Sequence, residues 1–154
     1  MSVLGIDLSA NMLKVAADRA TEAHASGEKI DVEFKELDAT TANFEDESFD
    51  VIYSRDTILH IEDKMDMFRK CYRWLRPGGR ILISDYCRGN DSDEEFRKYV
   101  EQRGYHLLTV PQYGRVLAEA GFKAVDARNV TDMFTESLRR ELNKTEGLRD
   151  QYIR

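Results

Sequence analysis

Val51-Ile52-Tyr53-Ser54-Arg55-Asp56-Thr57-Ile58-Leu59-His60-Ile61-Glu62-Asp63-Lys64 decides how the rest of the chain is read. Introduced by Ser48-Phe49-Asp50, it opens as a short apolar run, the mark of a buried strand in a parallel sheet. The composition then changes within one residue, and Arg55, Asp56 and His60 arrive together where the strand stops. Open α/β sheets hold their ligands just beyond the carboxyl ends of the strands. If the chain turns helical there, Asp56 and His60, four apart, share a face. A cation, a carboxylate and an imidazole then stand at one mouth.

Outward from this stretch, strands and helices alternate. On the amino-terminal side, Val3-Leu4-Gly5-Ile6-Asp7-Leu8-Ser9 reads as a strand ending in a carboxylate, and Ser9 caps a helix whose apolar face takes in Met12, Leu13, Val15, Ala16 and Ala20. That helix runs out near Ala25-Ser26-Gly27; Ile30, Val32 and Phe34 alternate with polar residues into a second strand ending at Leu37-Asp38; Thr40 to Glu47 is a polar loop. On the other side, Met65, Phe68, Cys71, Tyr72 and Leu75 fall at helical spacing until Arg76-Pro77-Gly78-Gly79 turns the chain into a strand, Arg80 to Tyr86. Phe96 to Tyr105 and Pro111 to Ala120 read as helices, Ala124 to Ala127 as a strand, and the tail from Asp132 as an amphipathic helix. This alternation implies parallel strands joined by crossovers, an α/β Rossmann-like sheet with helices on both faces.

Length and charge set the bounds. The 154 residues fit one domain, and a net charge of −6 with acids and bases interspersed shows no basic patch that would follow a nucleic-acid backbone. A small-molecule partner is expected, with no membrane insertion, since no apolar run approaches a span and no signal-peptide pattern is present. The two cysteines, Cys71 and Cys87, sit in apolar surroundings and read as buried free thiols of a cytoplasmic protein. No metal is expected: His24, His60 and His106 are scattered without ligand spacing.

Two further strand ends carry carboxylates. A Rossmann-like domain sets an acid against ribose hydroxyls at the position of Asp7, and a carboxylate accepts from both donors of a cis-diol. Asp7 would equally serve by helping Ser9 cap its helix. Asp38 is placed to accept from an exocyclic adenine amine, or to bond its own backbone in an Asx-turn. With the central stretch, the pair favours a nucleoside-derived cofactor.

The order of parts, strand-Gly-Ile-Asp-Leu-Ser, strand-Leu-Asp-Ala, Asp-Glu-Ser-Phe-Asp-Val-Ile and Trp-Leu-Arg-Pro-Gly-Gly-Arg-Ile-Leu-Ile, resembles the S-adenosylmethionine-dependent class I methyltransferases. More narrowly, Tyr53 to Ile61, Ile83-Ser84-Asp85-Tyr86-Cys87 and Tyr99-Val100-Glu101-Gln102-Arg103-Gly104-Tyr105 resemble the phosphoethanolamine N-methyltransferases over nearly the whole chain, in the domain that carries phospho-monomethyl- and phospho-dimethylethanolamine on to phosphocholine. The resemblance implies S-adenosylmethionine as cofactor and a phosphorylated amine as substrate. It implies that Asp7 holds the ribose, that Ile6 or Leu8 lines the adenine pocket, that Asp38 and Ala39 meet the adenine ring and that Arg55 borders the cofactor. Asp56 would lie by the substrate amine with His60 as base and orienter, and Tyr86, Tyr99, Arg103 and Tyr105 would cradle the phosphate.

Chemistry agrees with each role. A protonated amine has no lone pair, so a proton must leave before or during attack on the sulfonium methyl. Histidine is the side chain whose unperturbed titration lies near neutrality, and Asp56 can hold its tautomer and favour its charged form. A phosphate monoester brings close to two negative charges and several acceptor oxygens, which suit an arginine and phenolic hydroxyls.

Departures from the family sit at the ends. No Gly-x-Gly-x-Gly loop precedes Val3, the amino-terminal helix with the tyrosine that partners the histidine is missing, and Arg154 stops before the last antiparallel strands. The expectation is therefore a single incomplete domain, 1–154, truncated at both ends, that by itself binds cofactor weakly or not at all and is inactive. Alternatives are a methyltransferase of the same fold acting on another small amine, and a non-catalytic truncated isoform acting only through a partner. The oligomeric state stays open.

Overall fold

The protein, described by a computed structural model over residues 2–91 and 93–152, is a chain of parallel strands and crossover helices. In order these are β1 (Ser2–Asp7), α1 (Ala10–Ala25), β2 (Asp31–Glu36), β3 (Phe49–Arg55), a single 3₁₀ turn (Ile58–His60), α2 (Lys64–Trp74), β4 (Leu75–Ser84), α3 (Glu94–Gln102), α4 (Val110–Glu119) and α5 (Thr131–Tyr152). Among the described residues no helix is long and apolar enough to cross a membrane.

β1 pairs with β2 and β3 with β4, both in parallel, each as a separate two-stranded sheet. The expected parallel pairing is formed, but the expected single sheet is not: no ladder joins the two pairs among the described residues. Nor does a strand form at Ala124 to Ala127, where Ala124 takes a φ of +54° and the segment finds no ladder partner. An apolar run short of a pairing edge has nowhere to place its backbone hydrogen bonds in a sheet.

The core gathers around α2. Phe68 points into a cluster with Ile58, Tyr113, Leu117 and Ala120, against which Ile81 and Ile83 of β4 pack. Met67, Cys71 and Trp74 point into a second cluster with Ala42, flanked by Phe44, Phe49 and Ile52. One helix serves both because its apolar positions recur at three- and four-residue intervals, wide enough for two neighbouring stripes. Phe44 stands edge-on to Phe49 at 5.1 Å and to Trp74 at 5.0 Å, closing the lower cluster. In contrast, α1 buries none of its residues, and on β3 and β4 the side chains of Val51, Tyr53 and Leu82 are exposed. Helical cover on this pair therefore lies over the Ile52, Ile81 and Ile83 face alone.

The junction at residues 75–80 requires glycine. Gly78 adopts a φ of +82°, and a Cβ on Gly79 would meet the carbonyl oxygens of Arg76 at 2.9 Å and Asp50 at 3.1 Å. The chain can thus leave α2 at Trp74 and enter β4 without a separate loop, one residue earlier than the expected end at Leu75.

Candidate functional site

Strand β3 ends at Arg55, and the backbone then breaks sharply: Asp56 takes a φ of +50° while its amide donates to Ser84 O of the neighbouring strand at 2.8 Å. Aspartate is among the few non-glycine residues that adopt this left-handed conformation readily. The break decides the geometry that follows. A continuous helix from Asp56 does not form, so the expected shared face of Asp56 and His60 is absent. The Asp56 carboxylate lies 3.5 Å from Arg55 Nε, both groups being solvent-exposed.

His60 ends the 3₁₀ turn, in which its amide donates to Thr57 O at 3.1 Å. The two residues before it, Ile58 and Leu59, are buried and anchor the turn, while the imidazole itself is exposed. Its ring stands edge-on to Tyr105 with centroids 5.2 Å apart; Tyr105 stands edge-on to Tyr99 at 6.2 Å; the Arg103 guanidinium lies over the Tyr99 ring, 5.4 Å from its centroid. Four residues expected to act together thus form one contiguous row. The row is built locally: α3 carries Tyr99, its C-cap is Arg103, and Gly104, at φ +62°, turns the chain so that Tyr105 comes back beside Tyr99. His106 N then donates to Leu59 O at 2.7 Å, fixing the returning segment on the His60 turn.

Tyr86 is placed differently. It lies two residues past β4, exposed, with its ring edge-on to Phe134 of α5 at 5.8 Å. A hollow of about 260 Å³ beside His60 is lined by Thr40, Ile61, Glu62, Asp63, Asp66 and Met67. It brings His60 together with the loop that follows Asp38.

The carboxylates at the other strand ends satisfy local backbone. Asp7 Oδ1 accepts from Ser9 N at 2.7 Å, and the Ser9 hydroxyl accepts from Met12 N at 3.3 Å, capping α1. Asp38 Oδ1 accepts from both the amide (2.8 Å) and the hydroxyl (2.7 Å) of Thr40. Those bonds, the hydroxyl's foremost, hold the Asp38 carboxyl below its ordinary range. Both local readings are therefore realised, each using one oxygen of its carboxylate. Register pairs Asp7 with Glu36, so Asp7 and Asp38 stand at adjacent strand ends. Ile6 and Ala39 are half-buried beside them, and Leu8 is exposed.

Behind His60 lies a group that the sequence did not single out. Lys64, the first residue of α2, is buried, and Asp85 just past β4 accepts from the hydroxyl of buried Tyr113 through Oδ2 at 2.9 Å. Burial raises the Asp85 carboxyl, against the Tyr113 hydrogen bond and the nearby Lys64 cation that pull it down. Burial likewise lowers the Lys64 ammonium, and the Asp85 carboxylate opposes that shift. The available signal was a cation at a helix start, the end that disfavours positive charge.

Three comparisons bear on these residues. A family model described as a methyltransferase domain matches residues 1–83. The phosphoethanolamine N-methyltransferase of Triticum aestivum is 50% identical over 152 residues, covering 98% of this chain and 29% of the relative. The chain is also similar to phosphoethanolamine N-methyltransferase 2 of Haemonchus contortus, solved with phosphomonomethylethanolamine and S-adenosylhomocysteine, with a TM-score of 0.85 and 35% identity over 99% of this chain and 35% of that one. The same enzyme solved with S-adenosyl-L-methionine gives a TM-score of 0.84 at 36% identity. The chain spans about 30% of the length of the curated plant relatives it matches.

Proposed function

The chain belongs to the methyltransferase-domain family, and on that premise we propose that its residues form the acceptor side of an S-adenosylmethionine-dependent N-methyltransferase acting on phosphoethanolamine or its mono- and dimethyl derivatives, toward phosphocholine. The observation that carries this reading is the unbroken row His60, Tyr105, Tyr99, Arg103. It sets a proton acceptor at one end and a guanidinium with two phenols at the other, the spacing of functions that an amine joined to a phosphate by a short carbon chain requires. The relatives of similar sequence and fold are named for this substrate class.

In this reading Arg103, Tyr99 and Tyr105 hold the phosphate through charge-assisted and phenolic hydrogen bonds, and Tyr86 joins them from the end of β4. His60 takes the proton from the amine nitrogen, with Asp56 beside the amine at the strand break. The aromatic face of Tyr105, the ring beside His60, favours methylated ammonium groups. Asp7 and Asp38, at adjacent strand ends with one carboxylate oxygen each outside their local bonds, fit a ribose diol and an adenine amine, with Ile6, Leu8 and Ala39 about the ring and Arg55 bordering the site. S-adenosylmethionine, when bound, supplies an electrophilic methyl group on sulfonium. Alignment of nitrogen, methyl and sulfur adds to base catalysis in such transfers. We read residues 1–154 as belonging to one methyltransferase domain.

The test is a titration of the ¹⁵N-labelled chain with phosphomonomethylethanolamine and, separately, with unphosphorylated monomethylethanolamine. The phosphorylated amine should bind at least tenfold more tightly and shift the resonances of Tyr99, Arg103 and Tyr105. Equal affinity for the two amines would remove the phosphate cradle and with it this substrate class.

A further inference from the structure

We propose that Lys64 is a positioning residue for His60, a buried cation that fixes the turn carrying the imidazole. This rests on the reading of His60 as the base for its catalytic meaning, and on contacts independent of that reading for its geometry.

Lysine at the first position of a helix meets the positive end of the helix dipole and would ordinarily extend its ammonium into water along an aliphatic stem. Lys64 does neither. It is 4% exposed, and its Nζ turns back to donate to Ile58 O at 2.7 Å and Ile61 O at 2.6 Å. The helix start does not need it, because Asp63 caps α2 by accepting from Asp66 N at 2.9 Å.

What the ammonium does hold is the backbone on both sides of His60. Ile58 O accepts from Ile61 N at 2.9 Å as well as from Lys64, whereas Lys64 Nζ supplies a bond to Ile61 O. Leu59 O is taken from the opposite direction by His106 N. The turn is thus gripped from inside by Lys64 and from outside by the residue next to Tyr105. Both grips are needed to define how far the imidazole stands from the phenol. The Asp85 carboxylate, held by Tyr113 of α4, favours the charged ammonium but makes no ion pair with it among the described residues. Without Lys64 the buried Ile58 carbonyl and the part-buried Ile61 carbonyl each lose a charge-assisted partner.

NMR on the full 154-residue chain tests this without requiring turnover. The readouts are the ring-to-ring nuclear Overhauser effect between His60 and Tyr105 and the exchange rates of the His60, Ile61 and His106 amides. In Lys64→Met the ring contact should vanish and those amides exchange at least tenfold faster, while Phe68 and Leu117 amides change less than twofold; Lys64→Arg should restore the contact. Persistence of the contact and of slow exchange in Lys64→Met would overturn the proposal, as would equal acceleration at Phe68 and Leu117, which marks a general core strut. Should Lys64→Met fail to fold, Lys64→Gln decides: faster exchange confined to residues 60, 61 and 106 supports the positioning role, and no change overturns it. The phosphorylated-amine titration reports separately, so a chain that ignores that ligand yet loses the ring contact in Lys64→Met counts against the proposed function and for the positioning role.

Discussion

His60 and Tyr105, brought from a 3₁₀ turn after β3 and from the loop after α3, meet edge-to-face at 5.2 Å, close enough for one short ligand to touch both. The imidazole and the phenol therefore have a fixed separation before any ligand arrives. In a chain that contains these residues and turns over, His60→Gln should lower kcat by about 10²–10⁴-fold, the range typical of losing a general base. The KM of the phosphorylated amine should change by less than about threefold, because the amide keeps the ring's approximate volume and the proposed phosphate grip lies at Tyr99 and Arg103. Steady-state methyl transfer separates the two constants; an equal loss in both would take His60 out of the base role.

Arg103 offers a second, independent handle. Its guanidinium lies over the Tyr99 ring, which orients the fork while leaving its edge for an anion. Lysine keeps the charge but neither stacks flat nor presents two parallel donors. Arg103→Lys should weaken phosphomonomethylethanolamine binding roughly tenfold and Arg103→Ala further, with monomethylethanolamine unaffected by either. Calorimetric titration of each variant with both amines checks this, and an equal effect on the two ligands would show that Arg103 does not read the phosphate.

Much of this site could be read in the sequence because its parts are local. Tyr99, Arg103 and Tyr105 fall within seven residues on one helix end, and the change from Ile52-Tyr53 to Arg55-Asp56 marks the strand end directly. The sequence misled where backbone geometry outweighed spacing. Asp56 and His60 are a helical turn apart in number, but the positive φ at Asp56 breaks the helix that would have aligned them. It was silent where a partner comes from far along the chain: Tyr113 reaches Asp85 across 28 positions, and nothing in either neighbourhood announces the other. The strand at Ala124 to Ala127 fails for a similar reason, since a strand exists only where an edge receives it.

The cofactor side separates the local from the ligand role of the strand-end carboxylates. Asp7 and Asp38 already bond Ser9 and Thr40, and no glycine-rich loop lies in the sequence to approach the methionine end. Isothermal titration of the 154 residues with S-adenosylmethionine should therefore give a dissociation constant weaker than about 100 μM, corresponding to less than roughly 5.5 kcal/mol of binding free energy. Low-micromolar binding would show that these strand ends suffice and would reverse the expectation that the chain alone binds the cofactor weakly or not at all.

Stability should be concentrated around α2. Phe68 is fully buried between Ile58 and Tyr113, so Phe68→Ala should cost about 3–5 kcal/mol in urea unfolding. Val15 of α1 is 43% exposed, and Val15→Ala should cost no more than about 0.5 kcal/mol. Comparable losses at the two positions would mean that α1 packs more tightly in solution than its open face implies.

The same burial sets an alkaline limit on the fold. Cys71, 2% exposed beside Met67 and Trp74, has its thiol pushed from the ordinary 9.0 up to about 12 by loss of hydration, its own backbone hydrogen bond opposing this weakly. A group whose folded value is raised keeps its proton longer in the folded chain than in the unfolded one. Its contribution to stability is then complete below pH 9 and is lost as the pH climbs toward 12, with a slope approaching 1.4 kcal/mol per pH unit. Tyr113, raised by burial and by the Asp85 charge, and Cys87, raised by burial, act in the same direction, so the total slope belongs to several groups. Comparing Cys71→Ala with the parent isolates one of them. The variant should be less stable at neutral pH because of the smaller side chain, and its stability should fall less steeply between pH 9.5 and about 11, so that the two urea-unfolding curves converge as the pH rises. Curves that stay parallel across that window would show that the Cys71 thiol ionises as readily folded as unfolded, and that water reaches the lower cluster beneath α2.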